Sequence, residues 1–196
     1  MKENNTIEAF VLAGGKSTRM GTDKGLALLR GKPMISYILA TLQKAELPVR
    51  IVANNNAYEV FGLKVYPDMV PGKGPMGGLF TAFEHTTADM VLLAGCDMPL
   101  IPVEMVERLL SDTGHDKIVA PVLLGQVNPL FALYPRSLKQ KLEEYIASGR
   151  LKMTDFILEN KHVLLPPVAE EKPWCFQNIN DLSQLREVEE KWGDLS

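Results

Sequence analysis

The sequence predicts a single Rossmann-like, doubly wound α/β domain spanning residues 1–196, with a mainly parallel, mixed sheet. Three observations carry that expectation. Short runs of nearly unbroken apolar character alternate with amphipathic helical stretches. No repeat, low-complexity segment or Pro/Gly/Ser-rich linker divides the chain. At 196 residues, 46% hydrophobic and 23% charged, the composition is that of a globular protein with a full core.

Taken in order, Ile7 to Leu12 reads as a buried strand, being short, apolar and closed by Gly14-Gly15. Pro33 is expected to open a helix, because proline suits a first turn whose N–H groups lack partners; Met34, Ile35, Ile38, Leu39 and Leu42 follow at helical spacing. Val49 to Ala53 and Leu63 to Tyr66 are strand candidates, and Met76 to His85 a helix. The apolar run Asp89 to Ala94 ends at Gly95-Cys96-Asp97. Pro102 to Leu110 follows as a helix with an expected buried stripe of Val103, Val106, Leu109 and Leu110. Lys117 to Ala120 and Phe131 to Tyr134 are strands, and Leu138 to Ile146 is a helix. Strands at His162 to Leu165 and Trp174 to Asn178 precede a charged helix from Leu182 to Trp192.

In open sheets of this kind, ligands gather beyond the carboxyl ends of the strands, so function is sought there. The segment Leu12-Ala13-Gly14-Gly15-Lys16-Ser17-Thr18-Arg19-Met20-Gly21-Thr22-Asp23-Lys24 directly follows the first strand. Its glycines allow a tight turn whose N–H groups face an anion, and Lys16, Arg19 and Lys24 place three cations within nine residues. That combination suits a triphosphate. It matches neither the Walker pattern nor Gly-x-Gly-x-x-Gly, which disfavours a dinucleotide-dependent oxidoreductase. An ordinary turn with solvated cations is the bland alternative.

Asp97 leaves a central strand and is placed to hold Mg²⁺ against phosphate oxygens; a turn-forming or helix-capping role before Pro99 is the alternative. Asp68 precedes a second glycine-rich stretch, Pro71 to Gly78, which either closes over a ligand or is a plain surface loop. Asn54-Asn55-Asn56 ends a strand and offers an amide for a base or ribose, or simply makes a turn. Cys96 has no neighbouring histidine to activate it and reads as packing. His85, His115 and His162 share no metal-ligand spacing.

The net charge of −3 argues against a nucleic-acid partner engaged through a basic face. No run approaches the roughly 20 apolar residues needed to cross a membrane. With two well-separated cysteines and no signal-peptide pattern, a reducing cytoplasm is the expected location.

Together these residues resemble the molybdenum cofactor guanylyltransferase family, within the wider group of sugar-phosphate and cofactor nucleotidyltransferases. The carriers are the opening motif with Gly31-Lys32-Pro33 downstream, Cys96-Asp97-Met98-Pro99, Asn128 to Tyr134, and Asn178-Ile179-Asn180 before a helix. The likeness runs from about Ala9 to about Leu185. Two departures stand out: Asn180-Asp181-Leu182 is shorter than the family's usual Asn-Thr-Pro-x-Asp-Leu, and Gln126 to Pro129 is slightly longer than the common spacing.

The resemblance implies transfer of GMP from GTP to molybdopterin, with Mg²⁺ as cofactor and transient contact with molybdopterin-delivering proteins. It implies that Leu12, Ala13, Gly14 and Gly15 cradle the nucleotide and that Lys24 meets its phosphates. Asn54 and Asp68 would recognise the guanine nucleotide, and Asp97 would hold the metal. Lys24, Arg19 and Asp97 form the expected catalytic set; Arg19, Gly78, Asn178 and Asn180 would lie around the nucleotide or the pterin substrate. Gly14-Gly15, where cytidylyl-transferring relatives carry Ala-Gly, favours GTP over CTP. A different nucleotidyltransferase of the group and a non-catalytic GTP-binding regulator are the competing expectations.

Overall fold

The computed structural model describes residues 5–14, 23–112, 116–123, 125–166 and 173–192. In chain order it contains β1 (Ile7–Leu12), a 3-10 turn at Lys24–Leu26, β2 (Leu28–Leu29), β3 (Lys32–Pro33) and α1 (Ile35–Lys44). Next come β4 (Val49–Val52), a 3-10 segment at Asn56–Phe61, β5 (Val65–Tyr66), α2 (Pro75–Glu84) and β6 (Met90–Gly95). They are followed by α3 (Val103–Ser111), β7 (Ile118–Leu123), β8 (Gln126–Val127), β9 (Phe131–Pro135) and α4 (Lys139–Ala147). The chain then forms α5 (Met153–Leu158), β10 (His162–Leu165), a 3-10 segment at Pro173–Phe176 and α6 (Leu182–Glu190).

The main sheet runs β10-β7-β9-β6-β1-β4-β5, with β8 beside β7. β6, β1, β4 and β5 pair in parallel, as do β7 and β10, whereas β9 is antiparallel to both its neighbours. Side chains alternate across β1: Ala9 and Val11 join α1 and α3 on one face. Phe10 joins α2, α4 and α5 on the other. β6 is buried along its whole length, which is why it reads as a continuous apolar run rather than an alternating one. Each fully buried Leu or Phe in these layers contributes about 1.5–3 kcal/mol relative to exposure.

Several expectations need correction. Pro33 does not open α1; with Lys32 it pairs antiparallel with Leu28-Leu29. Arg30 and Gly31 both have positive φ, 49° and 75°, the conformation of a tight two-residue hairpin turn. The helix therefore starts at Ile35, after Met34 N–H has bonded back to Ala27 O at 2.8 Å. On α3 the buried stripe is Met105, Val106 and Leu109; Val103 and Leu110 are only partly buried. Trp174 to Asn178 is no strand, since its first residues form the 3-10 segment and none joins a ladder. Cys175 is buried there and Phe176 packs on the α1/α3 side of the sheet. α5 has no counterpart among the predicted elements; it buries Met153, Phe156 and Ile157 at the i, i+3, i+4 spacing of a single short stripe.

Strand register brings four strand ends level. Leu12 stands opposite Val52 on one side and Gly95 on the other, and Val52 stands opposite Tyr66. The exits of β1, β4, β5 and β6 therefore lie along one edge of the sheet.

Candidate active site

Ladder-like bonds carry the strands' order into the loops at that edge. Ala13 N–H donates to Val52 O (2.9 Å), Ala53 N–H to Tyr66 O (2.9 Å) and Cys96 N–H to Leu12 O (3.1 Å). Ala13 is buried, while a Cβ at Gly14 would meet no atom of the described residues within 4 Å. Gly15, Lys16 and Arg19 lie outside the described residues.

The described chain resumes at Asp23, whose side chain caps the 3-10 turn carrying Lys24 by accepting from Gly25 N–H at 3.3 Å. Lys24 Nζ lies 2.6 Å from Asp97 Oδ2 and 2.7 Å from Asn180 Oδ1. Three segments far apart in sequence thus meet at one ammonium. The Lys24 and Asp97 side chains are 18% and 13% exposed, so the pair is shielded from water without being sealed from it. Asp97 Oδ1 is buried with no hydrogen-bond partner among the described residues, although a buried carboxylate oxygen ordinarily has one. Room for that oxygen comes from Gly95, where a Cβ would stand 2.6 Å from it.

The C-terminal segment closes this side. Ile179 N–H donates to Asp97 O at 2.9 Å, and Ile179 packs with Leu185 and Val188 against Ala27, Leu29 and Met34. Asn180 N–H bonds Gln184 Oε1 (2.6 Å) while Gln184 N–H bonds Asp181 Oδ1 (2.9 Å), a reciprocal cap at the start of α6. Glu189 accepts from Arg30 N–H at 2.6 Å, fastening α6 to the β2–β3 hairpin. Asn178 enters this network through its carbonyl, which accepts from Asn180 Nδ2 at 3.4 Å.

On the other side of β1, Asn54 Oδ1 accepts from Asp68 N–H at 2.8 Å. Asp68 Oδ1 accepts from Val70 N–H at 3.0 Å and faces the buried Thr81 hydroxyl on α2 at 3.5 Å. Asn54 Nδ2 and Asp68 Oδ2 stay outside these bonds, one a donor and one an acceptor. Gly78 is buried beneath the β1 exit, where a Cβ would stand 2.6 Å from Leu12 Cδ2. Glycine there lets α2 lie close under Leu12.

Cys96 is buried, and burial together with the adjacent Asp97 pushes its thiol up to about 12, so it stays protonated and unreactive near neutrality. Among the described residues no group of three or more His, Cys, Asp or Glu side chains is placed to hold a metal.

A family model described as the MobA-like NTP transferase domain matches residues 9–163. The chain belongs to that family. This MobA-like transferase is 36% identical over 189 residues to the molybdenum cofactor guanylyltransferase of Haemophilus influenzae, covering 93% of this chain and 97% of the relative. It is 37% identical over 186 residues to the protein of the same name from Mannheimia succiniciproducens, covering 92% and 97%. Its fold is shared with the crystal structure of molybdopterin-guanine dinucleotide biosynthesis protein A from Archaeoglobus fulgidus, with TM-score 0.79, 24% identity, and 95% and 99% of the two chains covered. The family match ends at 163, yet Asn180 of this MobA-like transferase reaches Lys24 from beyond it. No helix among its described residues is long and apolar enough to cross a membrane.

Sequence alone assigns no role to Asp23, Tyr58, Gly95 or Gln184. Asp23 is visible inside the opening motif, and Asp181 with Gln184 three residues on is a capping-box spacing. Tyr58 gives no such signal, because the 3-10 segment around it has no helical or strand period.

Proposed function

We propose that this transferase moves GMP from GTP onto the terminal phosphate of molybdopterin, forming molybdopterin guanine dinucleotide and pyrophosphate. The observation that carries this reading is the meeting of Lys24, Asp97 and Asn180 beside the β1 exit. The names of the relatives that span nearly the whole chain support the choice of substrates. An oxygen of the acceptor phosphate bonds to the α-phosphorus while the bond from that phosphorus to the bridging oxygen breaks, and pyrophosphate leaves with the electron pair. The acceptor is already anionic near neutral pH, so no side-chain nucleophile is needed, in keeping with the protonated state of Cys96.

Rate enhancement then comes from alignment and from cations set against phosphate oxygens. Leu12, Ala13, Gly14 and Gly15 line the nucleotide, and Lys24 with Arg19 stabilises charge developing on the triphosphate. Asp97 is the residue that fits Mg²⁺: Oδ1 is buried, without a hydrogen-bond partner among the described residues, and on the carboxylate that pairs with Lys24. Bound there, Mg²⁺ supplies positive charge to the phosphate oxygens and the departing pyrophosphate. Asn54 Nδ2 can donate to guanine O6, and Asp68 Oδ2 can accept from guanine N1–H or N2–H. Asn178 and Asn180, beside Lys24, lie toward the pterin, while Gly78, packed under Leu12 on the other side of β1, borders the nucleotide. The cytoplasm, which holds GTP and keeps thiols reduced, is the compartment that suits this chemistry.

Calorimetry with Mg²⁺ and GTP, ATP, CTP, UTP and dTTP in turn checks the base. Tighter binding of GTP than of the other four is expected. A preference for CTP or UTP would keep the fold and chemistry but overturn the guanylyl assignment. GTP binding without pyrophosphate release in the presence of molybdopterin would point to a regulator instead.

A further inference from the structure

Asn54 and Asn55 are neighbours in sequence but reach in opposite directions. Asn54 Oδ1 holds Asp68 N–H, on the side assigned to the base. Asn55 Nδ2 lies 3.3 Å from Asp23 Oδ2, at the turn carrying Lys24, while Asn55 Oδ1 accepts from Ala57 N–H at 3.0 Å and starts the 3-10 segment. Three residues on, the Tyr58 hydroxyl donates to Asp23 Oδ1. Tyr58 is fully buried, and burial with the Asp23 carboxylate raises its ionisation far above the ordinary tyrosine range, so it acts as a neutral donor.

Both oxygens of Asp23 are thus held by the β4–β5 connection, and the Asp23 main chain seeds the turn. Asp23 O accepts from Leu26 N–H (3.0 Å) and Ala27 N–H (3.1 Å). The fit is close: a Cβ on Gly25 would stand 2.5 Å from the Tyr58 hydroxyl oxygen. The turn carrying Lys24 rests directly on the phenol.

We propose that Tyr58 is a positioning residue for Lys24, acting through Asp23, and that the Asn54 to Tyr58 segment couples the base side of the site to its phosphate side. This rests on the role given to Lys24 above. A lysine stabilising transition-state charge must be held to within a fraction of an ångström, whereas binding in the ground state tolerates more play. Loss of the phenol hydroxyl therefore acts on kcat.

Tyr58→Phe keeps the ring in the core and removes only the donor. With GTP, Mg²⁺ and molybdopterin, kcat should fall about tenfold while the KM for GTP stays within about twofold. In a Lys24→Ala background the same change should cost no more than about twofold further, because the group being positioned is already gone. An unchanged kcat, a loss confined to KM, or an equal loss in both backgrounds would overturn the inference. Amide hydrogen exchange at Leu26 and Ala27, measured without substrate, gives a reading independent of the reaction. Faster exchange at these two amides in Tyr58→Phe is expected, and exchange equal to the unsubstituted protein would overturn the anchor. Absence of pyrophosphate release by the unsubstituted protein would instead count against the transferase reading, leaving exchange to decide the role of Tyr58.

Discussion

Replacing Lys24 with alanine should lower kcat for GMP transfer by about a hundredfold, the usual effect of removing one donor aimed at transition-state charge. The ammonium is the point where the β1 exit loop, the β6 exit and the C-terminal segment meet, through Asp97 Oδ2 at 2.6 Å and Asn180 Oδ1 at 2.7 Å. Its removal also leaves Asp97 without its cation. Because the pair is partly solvated, the stability cost should be small, about 1–2 kcal/mol. The variant should therefore fold, and the loss should appear in turnover and not in the yield of native protein. Lys24→Arg keeps the charge but presents a planar fork in place of a compact ammonium, so it should recover only part of the rate. Steady-state kinetics on both variants checks this; turnover of Lys24→Ala within a few-fold of normal would remove Lys24 from the catalytic set.

Asp97→Asn should have an effect at least as large, about a hundredfold to a thousandfold in kcat. The amide nearly matches the carboxylate in size, so the clearance provided by Gly95 and the bond from Ile179 N–H to Asp97 O are kept. The negative charge that pairs with Lys24 and suits a divalent ion is lost. The magnesium dependence of the rate distinguishes the two roles: more Mg²⁺ should be needed for half-maximal rate in the variant. A reduced rate with an unshifted magnesium requirement would leave Asp97 as the partner of Lys24 and remove it as a metal ligand.

Much of the fold was legible because strands buried on both faces, such as β1 and β6, leave an unbroken apolar run that needs no partner to be read. The placement of the candidate site residues was legible where it follows from strand ends. Leu12 to Gly14, Asn54, Asp68 and Asp97 all leave the same edge, and parallel register brings their exits level. The contact of Lys24 with Asn180 was not, because 156 positions separate them and only the packing of α6 on the β2–β3 hairpin brings them together. Trp174 to Asn178 carries local strand character, but a strand requires a ladder partner, and none pairs with it among the described residues. Pro33 misled for a similar reason: the turn at Arg30-Gly31 committed the chain to a hairpin two residues before the helix.

The most direct test of the proposed chemistry follows the phosphorus atoms of GTP. The enzyme is incubated with Mg²⁺, molybdopterin and GTP labelled at either the α- or the γ-phosphorus, and the products are separated. The α-label should pass into a pterin dinucleotide, with the γ-label released as pyrophosphate in equal amount. Transfer of the γ-label to the pterin with release of GDP, or retention of both labels in unchanged GTP, would contradict guanylyl transfer.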